Sequence, residues 1–93
     1  MGVNISELDN EYAQELGVDI SQGVVIEQLV DGGSAQYAGM QIKDVIVAVN
    51  GRTIRSVPEL QESIGRSAVG ETLEMTVIRK GKRKNITVPL KAG

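Results

Sequence analysis

The serine best placed for chemistry in this 93-residue chain is Ser34, in Gly32-Gly33-Ser34-Ala35-Gln36. A serine held in a tight, glycine-flanked turn is how some hydrolases present a nucleophile. Here Gln36 stands where that turn needs a second glycine, and the chain has no histidine to act as base and no cysteine to replace the serine. Ser34 reads instead as the cap of a short helical turn over Ala35-Gln36-Tyr37-Ala38, its hydroxyl accepting from exposed amides, with Gly39 as the stop. The same two absences exclude Ser-His-Asp and Cys-His catalysis, disulfide frameworks and the zinc sites built from those ligands. Twelve carboxylates remain, yet none are paired by spacing on one buried face, so neither a glycosidase pair nor a calcium loop is expected. The eleven glycines form no phosphate-cradling loop. No cofactor and no metal are expected, and the chain reads as noncatalytic.

Binding chemistry is narrowed in the same way. Tyr12 and Tyr37 are the only aromatic residues and the net charge is −2, which argues against base stacking and against a nucleic-acid partner. Charge is unevenly spread: seven of the acids precede Lys43, the first base, whereas Arg79, Lys80, Lys82, Arg83 and Lys84 crowd around Gly81. At a hairpin tip such charges stay solvated and keep strand edges apart, the reading preferred here over an electrostatic patch. The longest apolar run, Val45 to Val49, is far short of the roughly 20 residues that cross a bilayer, so no membrane insertion is expected. Met1-Gly2-Val3-Asn4-Ile5-Ser6 fits an N-acylation pattern but has no adjacent basic patch to supply a second anchor.

These residues must be positioned by one small domain, since a chain this short buries only roughly 60–65% of its unfolded surface. Val3-Asn4-Ile5 reads as a strand and Ser6 to Asn10 as a turn. Asn10 would cap a short helix carrying Tyr12 and Leu16 on one face, ended by Gly17. Strands are expected over Gly23 to Val30 and Asp44 to Asn50. Asn50-Gly51 is the strongest hairpin signal, because both residues of a type I′ turn need positive φ, and Arg52-Thr53-Ile54 forms the return. Ser56-Val57-Pro58-Glu59 has capping-box spacing, followed by the stripe Val57, Leu60, Ile64 and a stop at Gly65. Leu73, Met75 and Val77 then face Ile86, Val88 and Leu90 across Lys80-Gly81-Lys82, with Pro89 suited to a sheet edge. The class is α+β, with five or six short strands and one main helix.

The stretch from Gly33 to Gly51, GSAQYAGMQIKDVIVAVNG, resembles the signature of bacterial PDZ domains, in which a Ser-Pro-Ala-x-x-Ala-Gly-Leu turn precedes a Gly-Asp-Val-Ile strand and an Asn-Gly hairpin. The likeness is to PDZ domains attached to HtrA/Deg-family serine proteases and covers residues 2–91. It implies a partly open β-sandwich or barrel of five or six short strands, one main helix and one or two short helices. It also implies that residues 1–93 are a single PDZ domain of a larger protein, without its protease domain. The parent would be a periplasmic or otherwise extracytoplasmic serine endopeptidase. Two positions depart from the pattern. Ala35 replaces a proline, at some cost in preorganisation. Lys43 replaces a glycine, so a left-handed backbone there would strain lysine by about 1 kcal/mol or more.

In that family an extended peptide C-terminus adds a strand to a sheet edge beside the main helix, the edge supplying hydrogen bonds and pockets selecting alternate side chains. By position, Met1-Gly2-Val3 matches the carboxylate loop, with the Gly2 and Val3 amides as donors, and Val3, Asn4 and Ile5 form the receiving strand. Leu60 and Ile64 would line the apolar pocket with Met1 and Ile5, and Gln61 would stand at its rim. Val57 is assigned to the core, and Leu60 and Ile64 are divided evenly between core and groove. The partners implied are C-terminal or unfolded polypeptide segments, delivered to or regulating an attached protease. The alternative is an assembly or gating domain that contacts sister subunits or the protease core through the same edge or the basic hairpin.

Overall fold

Successive side chains of a strand point to opposite faces, and the buried apolar residues fall into two clusters, one on each face of one sheet. The computed structural model describes residues 3–29, 36, 38–65 and 70–89. They form β1 (Val3–Glu7), α1 (Asn10–Leu16), β2 (Val24–Leu29), β3 (Val45–Val49), β4 (Arg52–Thr53), α2 (Val57–Gly65), β5 (Thr72–Arg79) and β6 (Lys82–Pro89). The sheet is antiparallel, in the order β1-β2-β3-β5-β6, with β4 paired to β3. It is open, and this is the α+β fold expected from the sequence.

One face carries Val24, Ile26, Ile46, Leu73, Met75 and Val77, closed by Leu60 of α2. The other carries Val25, Val45, Val47 and Ile78, closed by Leu8, by Ala13 of α1 and by the flanking Tyr12, Leu16, Val18 and Ile20. Cover on both faces explains why Val45 to Val49 is apolar throughout instead of alternating. Gly23 lies where β2 meets β3, and a Cβ there would fall 3.0 Å from Val45 Cγ1 and 3.1 Å from the Ile46 carbonyl oxygen.

The turns follow from local chemistry. Asn50 and Gly51 have φ of 51° and 81°, and Lys80 and Gly81 of 53° and 79°, so both hairpins turn on two left-handed residues. Lys82 pairs with Arg79 and belongs to β6, which ends at Pro89. Ser56 Oγ accepts from the Glu59 N–H at 3.4 Å, completing one half of the expected box. The Glu59 carboxylate reaches one residue beyond the cap, to the Arg55 N–H at 2.8 Å.

Several boundaries differ from the sequence reading. Asp9, not Asn10, caps α1, accepting from the Tyr12 N–H at 2.8 Å; the two residues cap equally well by type, and the helix starts one residue earlier. Ser6 and Glu7 belong to β1 because they pair with Val25 and Val24, a ladder that overrides their polar character. Gly65 is the last residue of α2 and has no positive φ. The capped turn assigned to Ser34, Ala35 and Tyr37 lies outside the described residues, although Gly39 has the left-handed φ of 96° expected of a stop.

The basic cluster is also smaller than it reads. Arg79 Nε and Nη2 donate to Asp44 Oδ1 and Oδ2 at 2.8 and 2.6 Å, and Nη2 also reaches the Gly39 carbonyl oxygen at 3.1 Å. Asp44 is 1% exposed and takes a further bond from the Gln41 N–H at 2.9 Å. This bidentate pair ties the end of β5 to the turn before β3, leaving Lys80, Lys82, Arg83 and Lys84 exposed at the hairpin.

Candidate peptide-binding groove

Among the described residues β1 pairs with β2 alone, so its other edge carries unpaired backbone groups. The Leu8 N–H donates to the Gly23 carbonyl at 3.0 Å, and the alternation of an antiparallel ladder then turns the N–H groups of Ile5 and Glu7 toward the open edge. Helix α2 packs beside this strand. Glu7 Oε1 accepts from the Val57 N–H at 3.2 Å, fastening the end of β1 to the first turn of α2, where a carboxylate is favoured by the unpaired amides and the helix dipole. An open cleft of about 590 Å³ lies at that end, bounded by Glu7, Asp9, Arg55, Ser56 and Glu59.

Of the residues expected at the groove, Ile5 of β1 and Ile64 of α2 are half-buried and pack against the same core cluster. Gln61 is exposed on α2, and Asn4 is exposed on β1, its Nδ2 donating to Gln28 Oε1 at 2.7 Å. Leu60 is fully buried, so of the two stripe residues divided between core and groove, it takes the core position and offers a ligand no surface. Val57 packs against the core, as expected. Val3 pairs with Leu29 at the start of β1. Met1 and Gly2 lie outside the described residues.

The sequence reading missed a polar network behind β1. The β1–β2 register slips between Asn4 and Ile5, leaving Glu27 of β2 without a partner in β1 among the described residues. Its carboxylate accepts from Ser6 Oγ at 2.7 Å, from the Tyr12 hydroxyl, and from Lys43 Nζ at 2.8 Å. Lys43 Nζ also donates to Tyr12 Oη at 2.6 Å and lies 5.1 Å from the centre of that ring. Hydrogen bonds from Lys43, then Tyr12 and Ser6, hold the Glu27 carboxyl down to about 2. The Glu27 bond raises the pKa of Lys43, and Tyr12 is raised chiefly by burial. The signal available in sequence was Glu27 itself, the one charge in a mostly apolar strand, together with Lys43. The latter has φ of 73°, the left-handed backbone anticipated from its glycine-like position.

Among the described residues no cluster of three metal-ligating side chains occurs, and no helix is long and apolar enough to cross a membrane. An open antiparallel sheet with a helix beside its first strand is the geometry on which strand addition is possible. Residues 1–90 match the PDZ domain family, and the chain belongs to it. It is 36% identical over 92 residues, 99% of its length, to a probable periplasmic serine endoprotease DegP-like of Pseudomonas savastanoi pv. phaseolicola. It is 33% identical over 90 residues, 97% of its length, to the periplasmic serine endoprotease DegP of Escherichia coli. The chain spans 19% of the length of each. Two solved structures have the same fold at 24% identity. The HtrA3 PDZ domain bound to a phage-derived ligand, FGRWV, superimposes with a TM-score of 0.82 over 96% of this chain and 81% of that one. The HtrA-type protease AlgW with a decapeptide gives 0.86 over 97% of this chain and 28% of that one.

Proposed function

We propose that the chain is the peptide-binding module of a periplasmic serine endoprotease, receiving an extended polypeptide C-terminus as a further strand along β1. The observation that carries this reading is the open edge of β1 beside α2, with the Ile5 and Glu7 N–H groups turned outward and Ile5 and Ile64 supplying apolar surface. Val3, Asn4 and Ile5 form the receiving strand, the amides of Gly2 and Val3 hold the carboxylate, Met1 completes the apolar pocket, and Gln61 contacts the ligand from the rim. Leu60 supports the pocket through the core. The domain itself does no chemistry; it delivers substrate to, or regulates, the attached protease. Relatives named as periplasmic endoproteases and peptide-bound structures of the same fold support this assignment. The exposed bases of the β5–β6 hairpin offer a separate surface to sister subunits.

A decapeptide library with free C-termini, titrated against the domain, tests the reading. Peptides with an apolar last residue are expected to bind in the micromolar range, roughly −6 to −8 kcal/mol. C-amidation is expected to weaken them about tenfold or more, the loss of a charge-assisted hydrogen bond set. Equal binding of the amidated twins would overturn carboxylate capture.

A further inference from the structure

A strand that receives a ligand must itself be held still, and in the sheet β1 is held by a single ladder. It has five residues and one strand neighbour, and its register slips opposite Glu27, in the middle of the proposed receiving segment. The break is spanned from the face away from α2. Through one carboxylate, Glu27 joins Ser6 of β1, Tyr12 of α1 and Lys43 of the turn before β3, so that four separate parts of the chain meet at the slipped register. Lys43 reaches this carboxylate from a backbone conformation that glycine would adopt without strain. The position therefore gives up local ease and gains a side chain whose contacts are Glu27 and Tyr12.

We infer that the Ser6–Tyr12–Glu27–Lys43 network is a positioning device for peptide binding, which preorganises the open edge of β1 from behind without touching the ligand. The inference rests on the groove reading above. A mobile β1 would have to be ordered at the moment of binding, and that cost subtracts directly from affinity. Lys43 and Glu27 are thus residues that set affinity from outside the groove. The arrangement needs a lysine at a site whose backbone favours glycine.

Lys43→Gly separates this role from ordinary stabilisation, because it removes both Lys43 bonds of the network and relieves the left-handed strain together. Its unfolding midpoint is expected to stay close to that of the parent chain. Its dissociation constant for the tightest library decapeptide is expected to rise about three- to tenfold. Lys43→Arg, which keeps charge and reach, is expected to restore binding to within about twofold. In the peptide-free domain, exchange of the Ser6 amide should quicken relative to Val77 in Lys43→Gly and in Glu27→Gln. Unchanged affinity in Lys43→Gly, or unchanged Ser6 exchange in both variants, would overturn the inference. If the parent chain binds no peptide in a carboxylate-dependent way, the groove reading falls instead, whereas Ser6 exchange still reports separately whether the network holds β1.

Discussion

The two outer strands of the sheet are built in opposite ways. β6 lies in unbroken register with β5 over eight residues, exposes Lys82, Arg83 and Lys84, and ends in Pro89. These are the devices that keep an edge from recruiting another strand. β1 is shorter, is interrupted opposite Glu27, and contains no Lys, Arg or Pro. Its backbone groups are left open next to α2, which carries the apolar stripe Val57, Leu60 and Ile64. The difference teaches that one edge is defended and the other is not, and that the undefended strand is tied from behind by side chains as well as by its ladder.

The largest expected effect is on the defended side. Arg79→Met leaves Asp44 buried without its ion partner and should destabilise the domain by about 3 kcal/mol, read as a lowered urea midpoint. Peptide affinity measured under conditions where the variant remains folded should change little. An equal loss of affinity would break the separation between the two edges.

A smaller effect is expected behind β1. The folded-state pKa of Glu27 is held at about 2, below its ordinary 4.5, so its stabilising contribution is complete above the ordinary value and is lost as pH falls toward the folded one. Glu27→Gln should therefore flatten the acid limb of the stability profile between those values and leave the profile near neutrality with almost the same slope. The pair is half exposed at Lys43, so solvent screening keeps the amplitude small. An acid limb identical to that of the parent chain would remove Glu27 from the account of β1.

Much of the fold was legible because its signals are local. Asn50-Gly51 demands a left-handed turn, Lys80-Gly81-Lys82 stands as a hairpin tip between two alternating runs, and Ser56 with Glu59 marks a helix start, whatever the remainder of the chain does. What was not legible depends on pairing across the molecule. Arg79 and Asp44 are 35 residues apart, and in sequence Arg79 is indistinguishable from its solvated neighbours. Ser6 and Glu7 look like turn residues until β2 is laid beside them. Along α2, Leu60 and Ile64 share a stripe, but only the docking of the helix on the sheet decides that the first is wholly covered and the second keeps a surface. The candidate groove residues were named through resemblance to a family, and of the network behind them the resemblance marked Lys43 alone, as a departure from a glycine.

Amide protection measured residue by residue, with and without a saturating C-terminal peptide, tests the central claim most directly. The account predicts that the Ile5 and Glu7 amides, turned outward in the free domain, become protected on binding while the β6 amides are unchanged. Protection that appears along β6, or peptide binding that leaves Ile5 and Glu7 exchanging as before, would contradict it.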